Sequence, residues 1–142
     1  MLTTILKILP NYFNSQYASK KAEKIETLRI KLTNLRASIT SVYGYAITIF
    51  ENTKNNDERF SESHQPPPLS KPPDYLYHEH YNEIKLFIVD NKKYIPQNIQ
   101  ITCFNLNKYL KYFPSRNLID NDFVNQYNDI QKSLTDLVTK IS

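Results

Sequence analysis

A single glycine in 142 residues leaves this chain almost without the positive-φ positions that tight hairpins and phosphate-cradling loops demand. That residue, Gly44, stands inside an apolar-periodic stretch. β-Hairpin architectures, P-loops and dinucleotide-binding turns are therefore disfavoured. Cysteine is as scarce: Cys103 cannot close an internal disulfide, and no CxxC or Cys/His spacing of a zinc site accompanies it. A reducing compartment, and with it a cytoplasmic location, is the expectation.

Long hydrophobic runs are missing too, since no window approaches the ~18 uncharged apolar residues of a spanning helix. Residues 1–14, which begin Met1-Leu-Thr-Thr-Ile-Leu-Lys-Ile-Leu-Pro10, lack the basic n-region and small-residue cleavage site of a signal peptide. They read as a short amphipathic segment ahead of a single domain at 15–142. Within residues 1–12, Leu2, Ile5, Leu6 and Leu9 lie opposite Lys7, a pattern that could rest on an anionic membrane surface.

What is present is enough to fold. Hydrophobic residues make up 40% and aromatics 13%, well above a disordered composition, and a chain of this length buries roughly 68–70% of its unfolded surface. From Ile25 the apolar positions Leu28, Leu32, Leu35, Ile39, Val42, Ala46 and Ile49 follow at alternating steps of 3 and 4, a heptad a/d register. The spacing predicts a helix at about 15–54, reaching roughly 60 Å. Ile30, Tyr43, Tyr45, Ile47 and Phe50 widen its stripe in the second half, which predicts packing on two sides there and a narrower, wetter first half.

Residues 52–73 read as a linker, because five prolines between residues 66 and 73 forbid a helix and favour extended polyproline. Asp74 then suits the N-cap of a second helix, about 74–90, with Tyr77, Tyr81, Ile84 and Ile88 on one face. Asn91 and Pro96 bracket a break before a third helix, about 96–112, with Ile99, Cys103, Leu106, Leu110 and Phe113 aligned. Asp120 or Asn121 can cap a fourth, carrying Phe123, Tyr127, Ile130, Leu134, Leu137 and Ile141. The expected fold is all-α: an antiparallel bundle of about four helices on one long N-terminal helix with a coiled-coil-like heptad seam. Loop-length priors favour a reversal between the second and third helices over a collinear stack.

The net charge of +4 is uneven: residues 1–50 carry seven bases against two acids, residues 51–80 three against six, and the remainder eight against six. The basic excess belongs to the first helix, where Lys20, Lys21, Lys24 and Arg29 form a candidate basic surface for nucleic acid or a membrane.

Candidate chemistry is thin. Arg59-Phe-Ser-Glu-Ser-His64 fits an R-x4-6-H pattern and over those six residues resembles the motif of HEPN ribonucleases. The resemblance implies a small ribonuclease or toxin in which Arg59 and His64 act on an RNA phosphate and 2′-hydroxyl. In that family the motif sits on a helix, whereas here three prolines follow it and the polar residue usual after the Arg is missing. His80 and Glu83 share a helix face at i, i+3 and could supply two metal ligands, with His64 a conceivable third, but His78 points about 200° away from His80. Cys103 sits on an apolar stripe, as a buried hydrophobe does. No Ser/His/Asp set or nucleophile elbow is present, and no catalytic residue, metal, cofactor or small-molecule substrate is expected.

The leading expectation is a non-enzymatic helical interaction protein that self-associates or receives a protein partner. Its partner-binding residues are expected at Ile25, Leu28, Leu32 and Leu35, where the long helix carries more apolar seam than short partner helices can cover.

Overall fold

The computed structural model describes residues 2–56 and 76–141, with side chains at residues 14–54 and 76–141. Five helices and two single turns make up the described chain: α1 (Leu2–Asn56), α2 (Leu76–Asp90), a 3-10 turn (Lys92–Tyr94), α3 (Gln97–Asn105), α4 (Asn107–Tyr112), a second 3-10 turn (Phe113–Ser115) and α5 (Asn121–Ile141). α3 and α4 together form the third rod of a four-helix bundle. α1 is longer than its periodicity predicts at both ends, roughly 80 Å at the usual rise per residue. The first residues expected in the linker, 52–56, are helical instead. The rest of that linker and the Asp74 cap lie outside the described residues.

The breaks are made without positive φ anywhere among the described residues. Asn91 ends α2 by donating from Nδ2 to the Phe87 carbonyl at 2.8 Å, and Pro96 then enters α3 with its fixed φ suited to a helix start. At Leu106 the chain keeps helical dihedrals but tightens, its N–H bonding the Cys103 carbonyl three residues back. This break within the third rod was not legible in the periodicity. Asp120 caps α5, its Oδ1 accepting from the Phe123 N–H at 2.8 Å while its other oxygen pairs with Arg116.

Contacts fix the topology as up-down-up-down. α2 runs antiparallel to α1, since Tyr43 meets Tyr77 while Tyr17 meets Lys93. α3 reverses again, as Tyr81 donates to the Phe104 carbonyl at 3.1 Å. α5 descends along the other flank of α1, with Lys54 bonded to Asn121 and Arg36 to Gln131. The expected reversal between the second and third helices is what the chain adopts.

One hydrophobic core runs through the bundle, and no polar or charged residue is buried among the described residues. On α1 the buried line is Leu28, Leu32, Leu35, Ile39, Tyr43, Ile47 and Phe50. It keeps the heptad register to Ile39, then steps to Tyr43, Ile47 and Phe50 in place of Val42, Ala46 and Ile49. The interval from Leu28 to Ile39 and from Ile39 to Phe50 is eleven residues, close to the natural turn of a straight helix, whereas a strict heptad requires supercoiling to stay in register. Ile49 is left 39% exposed and Tyr45 80% exposed, so the widened stripe expected in the second half faces solvent on one side.

An aromatic knot fastens the far end. The rings of Tyr43, Phe113 and Phe123 lie 5.0–5.3 Å apart, and Tyr77 joins at 5.8 Å from Tyr43. Such tilted and edge-on pairs each contribute about 0.5–1.5 kcal/mol beyond area burial.

Candidate functional site

The four residues expected to bind a partner are placed inside the chain's own fold. Leu28, Leu32 and Leu35 are 0% exposed, and Ile25 is half-buried at the rim. The expected partner surface between Ile25 and Leu35 is therefore corrected. α2 and α5 flank that stretch from both sides, as the Lys31–Glu83 pair at 3.8 Å and the Arg36–Gln131 bond at 3.0 Å show. Two short rods, one on each side, are enough to cover the seam that their length alone left in surplus.

The basic surface is rearranged as well. Arg29 forks onto Glu26, its Nε donating to Oε2 at 2.8 Å, and the pair holds the Glu26 carboxyl below the ordinary carboxylate range. Its charge is locally offset, which removes it from the patch. Lys20 is exposed, while Lys21 and Lys24 are half-buried. The Lys24 and Lys31 ammonium groups approach the Phe87 ring at 5.9 and 5.7 Å.

What the sequence does not bring to mind is how many lysines converge here. Tyr17 donates to the Lys93 carbonyl at 2.8 Å and packs its ring 5.5 Å from Tyr94, seating the turn Lys92–Tyr94 against α1. Lys140, at the end of α5, lines a small cleft with Lys21. Lys92, Lys93 and Lys140 thus join Lys20, Lys21 and Lys24 at one end of the bundle. Only the chain's topology brings them together, so no local motif could have found them.

A second feature lies on the outward face of α1. Ile30, Asn34, Ala37, Ser41, Tyr45, Thr48 and Asn52 are all exposed and uncharged, at the i, i+3/i+4 spacing of one helix face. The hydroxyls of Thr33, Thr40 and Thr48 donate to the carbonyls four residues back at 2.9–3.0 Å, so their polar atoms are occupied by the helix's own backbone. Reading the face opposite the seam would have revealed this stripe from sequence.

The chemical candidates do not assemble. Burial raises the Cys103 thiol from 9.0 to about 12, which keeps it protonated and unreactive. His78 stacks on Tyr77 at 4.5 Å between ring centroids, and burial lowers its pKa. Glu83 faces Lys31, and among the described residues no group of three or more His, Cys, Asp or Glu is placed to hold a metal ion. Tyr77 and Tyr81 are core residues. Arg59 and His64 lie outside the described residues. No described helix is long and apolar enough to cross a membrane. Comparison of the chain with protein-family models, with curated proteins and with solved structures finds no match.

Proposed function

We propose that the protein is a non-enzymatic helical assembly protein that self-associates through the outward face of α1. The observation that carries this reading is the uncharged stripe from Ile30 to Asn52, about 33 Å long at the helical rise. Removing such a face from water strands no charge, the hydroxyl of Thr48 is already bonded to the Gly44 carbonyl, and the amides of Asn34 and Asn52 can bond across a pairing of two copies.

A second copy is the occupant the stripe suits. Small residues stand at its middle, Ala37 and Ser41 with Gly44 beside them, where two helices must approach most closely. Pairing antiparallel about a two-fold axis between Ala37 and Ser41 sets Ile30 of each copy near Tyr45 and Thr48 of the other. The stripe itself carries no charge, and Arg36 at its edge is turned toward Gln131 on α5. One helix face offers less than the ~800 Å² per partner of a standard stable interface, so the association is reversible and concentration-dependent.

Sedimentation velocity across a concentration series tests the reading. The wild-type chain should shift from monomer toward dimer as concentration rises, and Ala37→Glu, which plants a charge at an exposed position in the contact, should remain monomeric. A wild-type protein that stays monomeric to its solubility limit overturns the proposal.

A further inference from the structure

We infer that the lysine-rich end of the bundle docks on an anionic phospholipid surface. The segments that meet there, residues 17–25, 90–98 and 136–141, carry six lysines against three acids, Glu23, Asp90 and Asp136. The segments at the opposite end, residues 46–54, 76–82 and 111–122, carry three bases against four acids. The described bundle is therefore polarised along its length, with its positive pole at the end where Tyr17 holds the Lys92–Tyr94 turn and past which α1 continues to Leu2.

The pole is not a plain basic face. Between Lys21 and Lys140 opens a cleft lined by Ile25, Pro96, Ile99 and Ile141, with Asn98 at its edge and no acid in its walls. Above it starts α3, whose N-cap is Pro96 and so has no side-chain hydrogen bond to offer the first amides. Those amides and the two ammonium groups favour an anion, and the isoleucine walls favour hydrocarbon. The carboxyl end of α5 also lies here, and Lys140 in its last turn offsets that negative pole. A phosphate carried on an acyl chain at a bilayer surface matches both halves of the cleft.

Nucleic acid suits the same end less well. Among the described residues the aromatic rings there already have partners within the fold, Tyr17 (46% exposed) with Tyr94 and Phe87 with Lys24 and Lys31, so base stacking would compete with contacts already made. Each lysine near an anionic bilayer contributes about 1 kcal/mol, so a cluster of this size suffices for salt-sensitive attachment.

Co-sedimentation of the full chain with vesicles decides the matter. Binding is expected to vesicles of phosphatidylcholine containing about a third phosphatidylserine, to be absent with phosphatidylcholine alone, and to fall as salt is raised. The double variant Lys92→Glu/Lys93→Glu should weaken it by about thirtyfold or more. Lys108→Glu/Lys111→Glu changes net charge identically on exposed positions of α4 and should leave binding within about twofold. Circular dichroism serves to check that each variant keeps its helices. Equal loss in both double variants, equal binding to neutral vesicles, or tighter binding to a single-stranded RNA oligomer than to anionic vesicles would each overturn the inference. Ala37→Glu should leave vesicle binding unchanged, which separates this surface from the self-association face.

Discussion

The hydroxyl groups of Tyr43 and Tyr77 meet at 2.6 Å inside the core and tie α1 to α2 where four aromatic rings converge. Replacing either tyrosine by phenylalanine keeps the ring packing and removes one side of the bond. Each single variant should lose about 1–2 kcal/mol in urea unfolding, and the double variant less than the sum, because both changes remove the same hydrogen bond. Strictly additive losses would show that the two hydroxyls are not coupled.

Cys103 gives the protein a specific weakness in alkali. Its thiol titrates at about 12 in the folded chain against 9.0 ordinarily. Below the lower value both states hold the proton and stability is unaffected. Between the two, the unfolded chain releases its proton and the folded chain does not, so stability falls by about 1.4 kcal/mol per pH unit. Cys103→Ala lacks that loss. Unfolding free energies of the two proteins, measured from about pH 8 to about pH 11, should converge as pH rises; parallel curves would refute the assignment.

Gly44 lies where α5 comes close, and a Cβ there would stand 3.2 Å from Thr40 Cγ2 and 3.3 Å from Tyr127 Oη. Both are the outer atoms of side chains that are exposed or half-buried and can yield by a few tenths of an ångström. Thr40 is held by its bonds to the Arg36 carbonyl and to Gln131, which limits its share. Alanine recovers most of the ~1 kcal/mol that glycine costs a helix interior, so Gly44→Ala should raise Tm by about 2 °C. A lower Tm would mean that Tyr127 is fixed.

Leu32 separates core from interface. Truncation to alanine should cost about 2–5 kcal/mol independently of protein concentration, as expected for a side chain that is 0% exposed within one chain. Unchanged stability with lost self-association would restore the seam as a docking site.

Much of this fold is legible in sequence, because four amphipathic stripes, the last three joined by short breaks, admit few arrangements. The heptad reading succeeds as far as Ile39. Beyond it Val42 and Tyr43, Ala46 and Ile47, Ile49 and Phe50 are neighbouring apolar pairs, and either member of each can face inward. Packing against α2 and α5 makes the choice, by following the helix's own turn. The interaction surfaces were harder to read, for two reasons. A seam looks surplus when rod length alone is weighed, and at Leu28 to Leu35 two flanking helices cover it. A charge cluster built from Lys20, Lys92 and Lys140 has no linear signature at all.

The up-down-up-down path also orders the events of folding. Every neighbouring pair of rods except α1 with α5 joins elements adjacent in sequence, and α2 with α3 and α4 with α5 are linked by breaks of only a few residues. Those hairpins close small loops and can form early. The pairing of Arg36 with Gln131 joins residues 95 apart. Docking of α5 along α1 is therefore the step that pays the largest loop entropy, and substitutions at that contact are expected to slow folding more than those between α3 and α4.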